Sequence, residues 1–153
     1  MPFIYSVKFL CGFQPAPDPN GHSACASVQP ARYSTEINIH NFDKEKKAKL
    51  EKSVLLLVRN GEAVGREPKT VRAEPFDTIT LGPREATMDD CCLLGEKLQL
   101  KPNTMSVGFL QIVSSIEVNV TAVYTASVAG GGLPPTGGSI SIDVETIAGR
   151  KVA

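Results

Sequence analysis

The chain has 153 residues, with sixteen basic and sixteen acidic side chains that cancel at neutral pH, so it carries no electrostatic footprint for nucleic acid or an anionic membrane. Trp is absent and aromatic residues make up 6%, which argues against a surface that stacks bases or sugars. No apolar run approaches the ~18 residues of a membrane-spanning helix. The opening MPFIYSVKFLCGF lacks a basic start and is interrupted by Lys8, unlike a secretory signal. A cytoplasmic protein is therefore expected, with neither nucleic acid nor membrane as partner, and the length suits one domain with a core of its own.

Residues 3–13 place Phe3, Tyr5, Val7, Phe9, Cys11 and Phe13 on alternate positions, a strand signal. Residues 14–32 hold four prolines and a Pro-Asn-Gly turn, and read as a long loop. Tyr33, Thr35, Ile37 and Ile39 predict a second strand over 33–41, with Glu36, Asn38 and His40 facing outward. The charged stretch 43–52 has too thin an apolar stripe for a packed helix, and reads as a solvated turn feeding a third strand over 47–58.

A fourth strand is expected over 70–81, broken or bulged at Pro75 because proline cannot donate to a central ladder. A fifth covers 85–91, followed by a short helical turn or two over 92–100. The strongest signal is 106–128. Phe109–Val113 is apolar on both faces, as in a central strand, and Ile116, Val118, Val120, Ala122, Tyr124, Ala126 and Val128 alternate after it. A hairpin turning tightly at Ser114-Ser115 is the expected link between the two.

Gly130–Gly132 and Gly137-Gly138 bracket a Leu-Pro-Pro step and read as a flexible hinge of roughly 15–18 Å reach. Beyond it, Ile140, Ile142 and Val144 share one side of a last strand over 139–147. The expected fold class is all-β: a single-domain antiparallel β-sandwich of about seven to eight strands. Its core spans 1–128, the Gly/Pro hinge 129–138, and a C-terminal strand and tail of the same domain 139–153.

Val7–Gly12, Glu36–Asn41 and Asn119–Thr125 together resemble a family of small uncharacterised prokaryotic β-sandwich proteins. More remotely they resemble the sensory-rhodopsin transducer sandwich, which forms homo-oligomers. The resemblance spans residues 5–128 in outline. It implies a sandwich that associates with itself, and it brings no catalytic residues.

Chemistry-bearing side chains are few. Glu36, Asn38 and His40 form a polar row about 7 Å apart, more in keeping with an exposed or interface histidine than with a base or ligand. Asp89-Asp90-Cys91-Cys92 is the most reactive-looking cluster, and Cys11, His40, Cys91 and Cys92 are the candidate metal set. Against this set, adjacent cysteines on a strand point to opposite faces, and flanking carboxylates oppose thiolate formation. Buried structural thiols are favoured, with a Cys11–Cys91 or Cys11–Cys25 disulfide left open. His22 and Cys25 make two ligands at most, and the Asn119-Val120-Thr121 sequon falls within an expected core strand.

No nucleophile elbow, phosphate-cradling loop or metalloprotease motif is present. The expected function is a non-enzymatic structural or interaction module without a cofactor. Its partner is itself, as a homo-oligomer, or another protein; the C-terminal strand either pairs away from its local neighbours and helps assembly or folds back as an ordinary eighth strand, both courses being left open. A metal-binding or redox sandwich is the alternative.

Overall fold

One strand, β1 (Phe3–Gln14), belongs to two layers of the computed structural model, which describes residues 1–16, 26, 28–128 and 140–152. From Phe3 to Cys11 it pairs with β7 (Ser106–Ser114); from Gly12 to Gln14 it pairs with β2 (Ala31–His40). Gly12 makes the change of direction. Its φ is +112°, and a Cβ there would run into the carbonyl oxygen of Thr104, so only glycine fits.

The first layer continues from β7 to β3 (Ala48–Arg59), with β4 (Glu62–Ala63) and β5 (Glu74–Leu81) beyond it and β10 (Arg150–Lys151) on β1. In the second layer β2 lies between β6 (Ala86–Asp90) and β8 (Asn119–Ser127), and β9 (Ile140–Ile147) flanks β8. Among the described residues every pairing is antiparallel, and hydrogen bonds run continuously through ten strands. Two of the strands, β4 and β10, have two residues each, which leaves eight longer ones. The all-β sandwich read from the sequence is what the chain forms. The helix among the described residues is α1 (Cys91–Leu98), and none is long and apolar enough to cross a membrane.

The alternating rows meet in one core. Tyr5, Val7 and Phe9 of β1, Leu50 and Val54 of β3, and Leu110 and Ile112 of β7 pack with Ile37 and Ile39 of β2 and Val120 and Ala122 of β8. Each large aliphatic or aromatic side chain so buried stabilises the fold by about 1.5–3 kcal/mol. β7 lies in the middle of its layer, with β1 on one edge and β3 on the other; Leu110 and Ile112 are buried, while Phe109, Gln111 and Val113 on the opposite face are half-buried.

The hairpin expected over 106–128 does not form. β7 and β8 lie in different layers, and residues 115–118 carry the chain from one to the other. The anchors of this link are distant in sequence. Ser115 N donates to Lys49 O at 3.0 Å, and the Tyr5 hydroxyl both accepts from Val118 N and donates to Val118 O at 2.9 Å. Val118 is thereby drawn into the core, a pull that outweighs the turn signal of two serines.

The last strand takes one of the two courses left open for it, folding back on its own domain. β9 pairs along its length with β8 of its own chain, from Ser127↔Ile140 to Val120↔Ile147. The hinge over 129–138, and most of the loop over 14–32, lie outside the described residues. At Pro75 the expected bulge is present: Lys52 faces Asp77 and Ser53 faces Pro75, leaving Phe76 as the extra residue.

Candidate functional site

Asp89-Asp90-Cys91-Cys92 straddles a change of structure rather than lying on one strand. β6 ends at Asp90, whose extended backbone and carboxylate cap α1, with Leu93 N donating to Oδ1 at 2.9 Å. Cys91 and Cys92 therefore open a helix, and the strand rule that separated them does not apply.

Cys91 is bonded to Cys11, 80 positions earlier, with Cα atoms 5.5 Å apart. Cys11 is buried on the inner face as expected, but as half of a disulfide rather than as a thiol. Thr35 fits the wedge where β2 leaves β1: its N–H donates to Cys91 Sγ at 3.1 Å, while its hydroxyl accepts from Leu10 N at 2.9 Å and donates to Leu10 O at 3.0 Å. A cleft of about 520 Å³ opens above, lined by Cys11, Cys91, Cys92, Gly95, Lys101 and Thr104 among others. Cys92 is a free thiol, and it is exposed.

The candidate metal set is not assembled. The disulfide removes the thiolates of Cys11 and Cys91, and His40 sits exposed at the end of β2 opposite Asn119 and Ala86. Among the described residues, no three of His, Cys, Asp and Glu gather in a group able to hold a metal ion. In the polar row of β2, Asn38 donates to Glu36 at 2.8 Å. His22 and Cys25 lie outside the described residues.

Asp89 has a partner the sequence reading missed. It is the inward-facing residue at the end of β6, and Lys52 Nζ of β3 donates to both its oxygens at 2.9 Å. Both side chains are 1% exposed. Residues 43–52 are thus not solvated throughout, since the strand begins at Ala48 and turns Lys52 inward. Asp77 Oδ2 lies 4.0 Å from the same nitrogen and accepts from Lys97 Nζ at 2.6 Å, and this lysine holds the Asp77 carboxyl below the ordinary range. The Phe76 ring has Lys52 5.7 Å and Lys97 5.1 Å from its centroid. Charge of alternating sign runs from core to surface through Asp89, Lys52, Asp77 and Lys97. A sequence signal existed: Ala48, Leu50, Val54, Leu56 and Val58 form an apolar row with one lysine in the middle.

β9 presents a different surface. Ile140, Ile142 and Val144 are 69%, 67% and 64% exposed, on the face of the sheet turned away from the core. Ser141, Asp143 and Glu145 take the other face, opposite Ala126, Tyr124 and Ala122 of β8. Tyr124 donates to Glu145 at 3.4 Å, and burial together with the Glu145 and Asp143 charges pushes its phenol up to about 12.

No family model matches the chain, and no curated protein matches it. A crystal structure described as Thermotoga maritima 1070 is similar over 96% of this chain and 91% of that one, at 10% identity and a TM-score of 0.43. A likeness at that level does not bear on function.

Proposed function

We propose that this chain is a non-enzymatic interaction module that associates with a second copy of itself through β9. The observation that supports this reading is the inverted strand: its apolar row faces water and its acidic row faces the core side. Such a strand, at the edge of a layer, offers unpaired backbone groups beside an uncovered apolar row. Of the usual guards it carries two acids, Asp143 and Glu145, but no proline and no lysine or arginine.

A second β9 is a suitable occupant because the strand complements itself when reversed. Antiparallel pairing about Ile142 sets Ile142 against its own copy, Ile140 against Val144, and Ser141 against Asp143. Registers centred on Asp143 or Val144 bring acidic side chains opposite one another, which costs stability. Each cross-strand aliphatic pair contributes roughly 0.2–1 kcal/mol, and zero net charge removes long-range repulsion between copies.

Light scattering on the full chain tests the reading. A dimer is expected, and Ile142→Lys is expected to dissociate it, because the change puts a charge at the two-fold axis while touching no buried residue. A monomeric wild-type protein at its highest soluble concentration overturns the reading.

A further inference from the structure

We infer that Lys52 and Asp89 condense into an intramolecular isopeptide bond that joins β3 to β6 across the two layers. Each group is almost fully buried, and each oxygen of Asp89 is 2.9 Å from Lys52 Nζ. That places the carboxyl carbon within the ~3–3.5 Å separation of a near-attack pair. As an ion pair the arrangement has little to recommend it. Removing two charges from water costs several kcal/mol each, and apolar side chains of similar volume do as well or better. As the reactants of an amide, the same two groups are correctly chosen and already in contact; the nitrogen that bridges both oxygens has then to swing over one face of the carboxyl group to attack Cγ.

Asp77 completes the site. Its Oδ2 lies 4.0 Å from Lys52 Nζ, and its side chain is 25% exposed, so it stands between the buried pair and the surface. In the reaction one proton first passes from Nζ to Asp89, leaving an amine beside a carboxylic acid. The nitrogen lone pair then attacks Cγ and the C–N bond forms. The nitrogen gives up a proton and the departing hydroxyl gains one as the C–O bond breaks; Asp77, 4.0 Å from Nζ and already accepting from Lys97, is the nearest carboxylate to relay it once the nitrogen has moved. One water leaves, nothing is oxidised or reduced, and no outside reagent is needed. Two buried charges become one neutral amide, and Phe76, whose ring centroid is 5.7 Å from Nζ, lies over the reacting nitrogen.

The test is mass spectrometry of the full chain after complete reduction and denaturation. The intact mass is expected to be one water below the sum of the residues, and peptide mapping is expected to find Lys52 joined to Asp89. Lys52→Met is expected to keep the full mass. Asp77→Asn, which leaves the pair itself intact, is expected to slow linkage during refolding on the order of 10²-fold through loss of the proton carrier. Linkage at an unchanged rate in Asp77→Asn overturns the role of Asp77. A folded wild-type protein of full mass, or a water loss mapped to other residues, overturns the bond.

Discussion

β3 and β9 carry the same kind of sequence and use it in opposite ways. β3 turns its aliphatic row inward and buries one lysine within it; β9 turns its aliphatic row outward and sets its acids toward the core side. In β3 the misfit is a charge where grease is expected, and it is answered inside the chain by Asp89. In β9 the misfit is grease where water is expected, and it calls for a partner outside the chain. Alternation states which residues share a face. Which face becomes the inside is decided by what lies across from it.

The comparison breaks most easily at β3. Lys52→Met is expected to lower unfolding stability by about 4 kcal/mol, measured by denaturant titration, because Asp89 is left as an uncompensated buried charge. Pairing it with Asp89→Leu is expected to recover the part of that loss that comes from the stranded carboxylate and to leave the part that comes from losing the link between β3 and β6. If the double variant is as stable as the wild type, no covalent link joined the two strands.

Next in size is the Cys11–Cys91 bond. Replacing both residues by alanine is expected to cost about 3 kcal/mol, the middle of the range typical of a native disulfide and below the chain-entropy ceiling of about 4.5 kcal/mol for a loop of 80 positions. Guanidinium unfolding of wild type and variant, each under oxidising conditions, measures this.

At the rim, the effect depends on pH. The Tyr124 phenol ionises near 12 in the folded chain, against an ordinary value of 10.0, so the unfolded chain releases that proton first. Its contribution to stability is complete below pH 10 and is lost as pH rises toward 12. Tyr124→Phe is expected to flatten the stability curve in that window. It does not remove the slope, because burial raises the Tyr5 phenol as well. Melting temperatures across this range decide the matter. Smallest of all is the effect of Ile142→Lys on stability, expected within about 0.5 kcal/mol because the residue is exposed, even though its effect on association is large.

Much of this architecture was legible from local pattern. Tyr5, Val7, Phe9 and Cys11 announce β1, and the two-sided run Phe109–Val113 announces a central strand. Pro75 announces its bulge. Pairing was less legible. Ser114-Ser115 looks like a turn, but the hydroxyl that draws Val118 across the layers belongs to Tyr5, 113 positions away. The candidate site was half legible: Asp89, Asp90 and Cys91 drew attention together, yet each is committed to a different remote or local partner. Their grouping was an accident of the junction between β6 and α1, while the lysine that matters stood in another strand.

The division of β1 between two layers has a consequence for how the chain is made. β1 is made well before its long partner, which begins at Ser106, and its short edge partner, which begins at Arg150. Until then the stretch that carries Tyr5, Val7 and Phe9 lacks the strands that flank it in the finished sheet. Contacts that span most of a chain close late and slowly, and unpaired apolar strands are where nascent chains stick to one another. The strand that ties the finished layers together is therefore the one most in need of protection on the ribosome, and its safe burial waits until β7 has been made.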